Sequence, residues 1–326
     1  MPGMSDMRAA LYDGYGPPEV LYEGTVPRPV AAPGEILVRV LTASVNGGEL
    51  AGRAGKLRPV TGLTGRGFPK RTGMDFVGEV VTPGPPGSGV TAGDRVWGLL
   101  PRRRMFGSAA EFVTVPPGKV ARAPSSLDAA EAVSLLAGGT TALVALRDKA
   151  RLRAGERLLV RGAAGGVGSV AVQLGRARGA HVTALAGARN LDFVRDLGAD
   201  DAFDYATTGP AGLGRFDVVF DAVGTDLGAY RRLLAPGGRM VAIAFDLSRP
   251  AASLARLLAT TVYGPRRVRF FSGNPDRALL ADLTALVDDG ALRPVVDTVH
   301  PLSAIADAHR ALERGGVRGK HVIRVG

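Results

Sequence analysis

The stretch Leu158–Ala180, LLVRGAAGGVGSVAVQLGRARGA, decides the fold. It opens on a short apolar run, Leu158-Leu159-Val160, of the length of one buried strand. It then breaks into Gly162-Ala163-Ala164-Gly165-Gly166-Val167-Gly168. From Val167 onward the apolar residues Val167, Val170, Ala171, Leu174 and Ala177 recur at helical spacing. Strand, glycine turn and helix in that order turn a glycine pattern into a dinucleotide site. Glycines let the backbone turn tightly and approach a pyrophosphate, and the helix N-terminus offers free N–H groups to it.

The chain around this turn has 326 residues, enough for two domains and a sizeable core. Hydrophobic residues make up 46% and charged residues 22%, which excludes a disordered chain. No uninterrupted apolar run reaches roughly 18 residues, so no membrane span is expected. The N-terminus lacks a basic-then-apolar signal pattern, and cytoplasm is the default expectation. There is no cysteine, which removes disulfides, thiolate nucleophiles and cysteine-ligated zinc together. The formal net charge of +11 suits an anionic partner: a phosphorylated cofactor, a phosphopantetheine-bearing carrier, or nucleic acid. Aromatics are only 6% and do not interleave the basic residues, which argues against nucleic acid.

Before the turn, Met1 to about Pro124 reads as short strands cut by Gly-Pro clusters. The strands are expected at Arg8–Tyr12, Glu35–Val45, Met74–Val81, Arg95–Leu99 and Ala110–Val115, in a mostly antiparallel β domain. The stretch from Gly47 to Thr72 lacks periodicity and reads as a long loop. From Ser125 the pattern becomes helical, at Ala129–Leu136 and Thr140–Ala150. After the turn, strands at His181–Leu185, Phe216–Phe220 and Arg239–Ala244 alternate with helices at Asn190–Leu197 and near Asp226–Leu234. Such alternation predicts a doubly wound parallel sheet. After a strand near Val268–Phe271 that ends the sheet come a helix at Ala278–Val287, a strand, a helix at Ser303–Arg314 and a strand at His321–Val325, a tail expected to pack on the first domain.

NAD-type sites place an acid about 20 residues beyond the glycine turn, on the ribose 2′-hydroxyl. Here the second strand runs into Leu185-Ala186-Gly187-Ala188-Arg189-Asn190, with an arginine and no acid. Arg189 can pair with a 2′-phosphate, which predicts NADPH; its other role would be to cap the next helix. Tyr205 can cover the adenosine ribose or simply end a strand. Gly224 and Phe245 stand at the ends of the third and fourth strands, where ligands of such sheets bind.

Several stretches together, in order along nearly the whole chain, carry a family resemblance. They are ASVNGGELAGRAG (43–55), FPKRTGMDFVGEV (68–80), AGDRVWG (92–98), GGTTALVAL (138–146), NLDFVRDLGADDAFDY (190–205), FDVVFDAVG (216–224), LLAPGGRMVAI (233–243) and PLSAIADAHRALERGGVRGKHVI (301–323). The chain resembles a zinc-independent medium-chain dehydrogenase/reductase of the quinone oxidoreductase and enoyl reductase branch. The resemblance implies an α/β chain: a GroES-like β-rich catalytic domain, split between 1–124 and 266–326, and a Rossmann domain at 125–265 with a doubly wound parallel sheet. It also implies NADPH and often a homodimer. Zinc alcohol dehydrogenases carry Cys where this chain resembles them at Asn46, and Gly-His-Glu where it has Gly73-Met74-Asp75. No metal is therefore expected; His181, His300, His309 and His321 lack ligand spacing. Without a Lewis acid, the expected reaction is hydride transfer to an already polarised acceptor, a quinone or the C=C of an α,β-unsaturated carbonyl.

Catalytic roles are expected for Asn46, Glu49 and Thr141. Cofactor contacts are expected from Asn46, Thr141, Gly162, Ala163, Gly165, Gly166, Val167, Gly168, Arg189, Tyr205, Val223, Phe245 and Lys320. Asn46 could instead stabilise the developing oxyanion, and Thr140 and Thr141 could merely cap a helix. Glu49 could position Arg53 or relay a proton. Lys56 and Lys70 are candidate donors on the loop or simply solvated loop charges, and Asp75 reads as a partly buried structural acid. Trp97 and Arg102-Arg103-Arg104 shape the neighbouring segment, where the arginines could meet an acidic carrier protein. Two other readings stay open: a tailoring reductase acting on carrier- or CoA-bound intermediates, and an NADPH-binding interaction or nucleic-acid module with little turnover.

Overall fold

The computed structural model describes residues 6–57, 67–101, 104, 106–244, 268–271 and 273–326. The chain divides into two compact units, Met1–Ala137 with Asn274–Gly326, and Gly138–Gly273.

In chain order the first unit begins with strands β1 (Asp6–Tyr12), β2 (Tyr22–Pro27) and β3 (Ile36–Ser44), helix α1 (Gly47–Arg53), and strands β4 (Lys70–Arg71), β5 (Asp75–Thr82), β6 (Arg95–Leu99), β7 (Phe112–Val115) and β8 (Val120–Arg122). Helix α2 (Ala129–Leu143) runs on as one π-helical turn, Val144–Lys149. The second unit holds β9 (Arg157–Arg161), α3 (Gly168–Ala177), β10 (His181–Ala186), α4 (Leu191–Asp196), β11 (Asp201–Asp204), β12 (Phe216–Asp221), α5 (Leu227–Arg231), β13 (Leu234–Ala242) and β14 (Val268–Phe270). The chain then returns to the first unit with α6 (Arg277–Asp288), β15 (Val296–Pro301), α7 (Ile305–Arg314) and β16 (Lys320–Arg324).

The second unit is a six-stranded sheet of order β11-β10-β9-β12-β13-β14, parallel throughout. Its strand order reverses between β9 and β12, which makes the end of β9 the switch point where such sheets bind ligands. Leu158, Leu159 and Val160 are fully buried, as a central parallel strand covered on both faces requires. The first unit carries a seven-stranded sheet, with β15-β16-β3-β5-β6-β8 in line and β7 also on β3, and a small sheet β2-β1-β4. Its core gathers Ile36, Val38, Val40, Phe76, Val96, Val120, Ile305 and Ile323.

The described structure differs from the sequence reading at several elements. Gly47–Arg53 is a helix within the stretch read as a loop: three glycines lower its propensity, but Glu49, Ala51, Gly52 and Arg53 are buried, and packing outweighs propensity. Residues 58–66 of that stretch lie outside the described residues. Helix α2 has no break at Gly138-Gly139, so the units divide inside the helix, later than the expected line at 124/125. Strand β13 starts at Leu234, before Gly237 with φ +76°, and α5 is correspondingly only five residues long. Strands β2 and β8 escaped the pattern because one is half-exposed and the other only three residues long. The helical segment Ala129–Lys149 is long and apolar enough to cross a membrane, yet 72% of its apolar window is buried, as in a core helix.

Candidate active site

In the second unit the glycine turn is built by backbone packing. The Gly165 amide donates to Gly162 O at 3.2 Å, the Ser169 amide to Gly165 O at 2.8 Å, and the Ala163 amide to Leu185 O at 3.0 Å. A Cβ on Gly168 would stand 2.0 Å from Gly162 O, and one on Gly138 would stand 1.9 Å from Gly166 O. Any side chain at either position would have to displace main chain, so the turn lies flat against α3 and α2 only because both are glycine. The start of α3 thus presents Val167 and Gly168 at a helix N-terminus, the place where a pyrophosphate is held by N–H groups.

The strands beside the turn supply the flanking residues. Arg161, at the end of β9, is register partner of Asp221 at the end of β12, and the two form a buried ion pair. Asp221 also accepts from the Val223 amide at 2.9 Å and the Gly224 amide at 2.6 Å, which fixes the loop after β12. Arg161 donates to Thr225 O at 2.8 Å and lies 3.5 Å over the Tyr230 ring. The sequence reading missed this pair; its signal was a charge closing each of two apolar strands, LLVR and VVFD. Val223, 43% exposed, stands over the turn, with its side chain 3.2 Å from a Cβ built on Gly162. Arg189 is exposed in a short 3-10 turn after β10. Tyr205 is 66% exposed, its ring 3.5 Å from a Cβ built on Gly187, so Tyr205 and the Arg189 turn border one stretch of surface. Thr140 and Thr141 lie inside α2 and do not cap it. Phe270 packs on the core of this unit, and Phe245 lies outside the described residues.

The first unit holds a different kind of site, a buried cluster of side chains. Asn46 precedes α1, in extended conformation at φ −120° and ψ 147°. Its Nδ2 donates to Glu49 Oε1 at 2.9 Å and also faces Ser44 O, Ser44 Oγ and Asp75 Oδ1 at 3.2–3.3 Å. Its Oδ1 accepts from Lys320 Nζ. Lysine can only donate and the carboxylate side can accept, so the chemistry fixes this orientation of the amide. Glu49 Oε2 accepts from Thr72 Oγ1 at 2.8 Å and from the Gly73 amide at 2.9 Å. Gly73 adopts φ +87°, and a Cβ there would stand 2.2 Å from the Ala109 amide nitrogen. Asp75 accepts from the Ser44 amide at 3.0 Å and Ser44 Oγ at 2.7 Å.

Glu49, Asp75 and Lys320 are 2%, 0% and 5% exposed, so their charges are priced by burial. Burial, with Asp75 nearby, pushes the Glu49 carboxyl up to about 7. Burial also raises Asp75 and lowers Lys320. Two carboxyls and one ammonium out of water are neutral together when one proton stays on the carboxyls. Glu49 has Asn46, Thr72 and Gly73 as hydrogen-bond partners, while Arg53 pairs with Glu313, so Glu49 does not position Arg53.

The remaining candidates disperse. Lys56 is exposed, and Lys70 lies 5.5 Å over both Tyr15 and Phe68. Tyr12, Tyr15 and Phe68 form an aromatic cluster that the sequence reading missed, with ring centroids 5.2–6.4 Å apart. Trp97 is fully buried in the first unit. Arg104 pairs with Glu35 at 3.1 Å, and Arg102 and Arg103 lie outside the described residues. Among the described residues no group of three His, Cys, Asp or Glu could hold a metal.

Two family matches span most of the chain: residues 32–125 match the alcohol dehydrogenase GroES-like domain, and 197–323 a domain described as zinc-binding dehydrogenase. The chain is 31% identical to the mitochondrial NAD(P)H oxidoreductase RTN4IP1 of Danio rerio, over 98% of this chain and 91% of the relative. It is 32% identical to the chloroplastic NADPH-dependent alkenal/one oxidoreductase of Arabidopsis thaliana, over 98% of this chain and 79% of the relative. The solved quinone oxidoreductase of Coxiella burnetii superposes with a TM-score of 0.87 at 30% identity, covering 99% of this chain and 100% of that one. The expectation of a cytoplasmic protein is corrected here, since relatives of this similarity are mitochondrial or chloroplastic. A GroES-like unit, a Rossmann unit with a nicotinamide-type turn, and whole-length relatives that are oxidoreductases place the chain in the medium-chain dehydrogenase/reductase family, among its quinone oxidoreductases and enone reductases.

Proposed function

We propose that the protein is an NADPH-dependent reductase that delivers hydride, without zinc, to a quinone or to the C=C of an α,β-unsaturated carbonyl. The carrying observation is the cluster around Asn46. A zinc alcohol dehydrogenase needs cysteine and histidine ligands there; this chain has no cysteine and places Met74 between Gly73 and Asp75. The same space is filled by a self-satisfied set of hydrogen bonds among Asn46, Glu49, Asp75 and Lys320. Solved and curated relatives named for quinone and alkenal/one reduction support the acceptor class.

The residues of the second unit fit a dinucleotide. Gly138 and Gly168 hold the turn too close to the helices for any Cβ beneath it, and the turn ends at the N-terminus of α3. The turn residues Gly162–Gly168 would hold the pyrophosphate, Tyr205 and Val223 would flank the nucleotide, and Arg189 would meet a 2′-phosphate. When bound, the nicotinamide supplies the hydride. Glu49, its carboxyl pushed up by burial beside Asp75, is suited to give or take the proton that balances it. With its amide engaged on both sides, Asn46 orients Glu49 rather than donating to a substrate oxygen.

The test is NADPH and NADH oxidation with 9,10-phenanthrenequinone and a panel of enones, for the wild type and Arg189→Asp. Turnover with a kcat/KM preference for NADPH is expected. Arg189→Asp should erode that preference by about 10- to 100-fold, the value of one charge-assisted contact. A wild-type preference for NADH removes the NADPH assignment, and tight NADPH binding without turnover of any acceptor removes the reductase.

A further inference from the structure

Lys320 begins β16, and its ammonium makes one hydrogen bond among the described residues, to Asn46 Oδ1. The contact spans 274 positions of sequence. It exists because β16 lies antiparallel to β3, with Val322 opposite Ser44, and because the Val45 amide donates to His321 O at 3.0 Å. Removing an ammonium from water is costly, and a buried ion set is weak evidence for stability. The reason for the lysine is therefore sought in what it holds. It holds the oxygen of an amide whose nitrogen is on Glu49 Oε1 at 2.9 Å. With that oxygen fixed, the amide cannot flip and turn its oxygen on the two carboxyls.

We propose that Lys320 is a positioning residue for the reduction: it acts through Asn46, locking the amide so that Glu49 is presented in a single orientation. The inference rests on the reductase reading above. Among the described residues, ionisable groups from several elements act on Glu49. Asp75 comes from β5, Lys320 from β16 and Tyr12 from β1, while Arg53 of α1 is turned to Glu313. Lys320 reaches Glu49 through the Asn46 amide.

A coupling experiment separates this role from simple stabilisation. Lys320→Met, Asn46→Ala and the double variant are compared with the wild type in kcat, KM, Tm and NADPH Kd by fluorescence titration. Lys320→Met is expected to lower kcat on the order of 10²-fold through misplacement of Glu49, with NADPH Kd within about threefold. The double variant should be no slower than Asn46→Ala, because the two residues act in series. Lys320→Arg, which keeps the donor and the charge, should regain at least about tenfold of the loss. If Lys320→Met does not fold, Lys320→Ala, which also removes the donor, is judged by the same measurements. Multiplicative losses in the double variant overturn the proposal. So does a fall in Tm with kcat unchanged, or a selective loss of NADPH affinity, which would make Lys320 a cofactor contact. Should the wild type turn over no acceptor, the reductase reading fails separately, and the Asn46 side-chain amide signal in NMR still decides the positioning. That signal, identified by its absence in Asn46→Ala, should shift or exchange rapidly in Lys320→Met, and an unchanged signal overturns the proposal.

Discussion

The two units carry candidate sites made of different material. In the second unit the site is main chain: a glycine turn, a helix end and strand termini, with side chains largely kept out. In the first it is side chain: Asn46, Glu49, Asp75 and Lys320, brought together from α1, β5 and β16 and buried. A backbone site tolerates most changes around it but none that adds an atom beneath the turn. A buried ionic site tolerates changes of shape but not of charge, since each charge is held by the others. The contrast suits the roles proposed above, in which one unit holds a large anion and the other manages a single proton.

The comparison predicts unequal effects. Adding side-chain atoms under the turn should be the most damaging. Gly168→Val places carbon 2.0 Å from a carbonyl oxygen of the same turn. The loss is expected to exceed about 4 kcal/mol, the exceptional end for one substitution, with NADPH binding abolished. Chemical denaturation and fluorescence titration measure both, and a variant that binds NADPH normally would show that the turn is not backbone-limited. Next comes charge in the first unit. Asp75→Ala leaves Lys320 with less compensation, at a cost of about 3–5 kcal/mol in urea unfolding. A loss below about 1 kcal/mol, as for an exposed pair, would mean that the cluster is solvated.

Glu49 gives the pH dependence its sign. A carboxyl raised in the fold from 4.5 to about 7 stabilises the fold fully below its unfolded pKa, and loses that contribution as pH rises through about 7. Moving the carboxyl from 4.5 to about 7 corresponds to roughly 3 kcal/mol. Wild-type stability relative to Glu49→Gln should therefore fall by that order between about pH 4 and about pH 8, and a flat difference contradicts the burial argument. Tyr205→Ala should be the mildest, raising NADPH Kd about fivefold through a lost ring contact worth about 1 kcal/mol, with no change in Tm.

Much of the second unit could be read directly. Leu158–Ala180 contains its strand, turn and helix within one local stretch, and the observed elements are Arg157–Arg161 and Gly168–Ala177. The alternation of strands and helices that followed pointed to the parallel sheet now seen. The first unit was legible as strands but not as a site. Helix α1 hid behind Gly47-Gly48, and Asp75 read as a structural acid because Met74, Phe76 and Val77 surround it. Ser44 and Thr72 carry no pattern that marks them as partners of a carboxylate.

The sequence by itself determined the strand–glycine–helix turn, the exchange of an acid for Arg189, and the loss of cysteine ligands. Each is local chemistry, set by which atoms a residue brings. Only the tertiary structure decided that Lys320 would lie on Asn46 across 274 residues, and that Glu49 would face Thr72 and Gly73 rather than Arg53. The pairing of β16 with β3 brings Lys320 to Asn46, and the burial that moves the Glu49 carboxyl to about 7 is a property of the assembled fold.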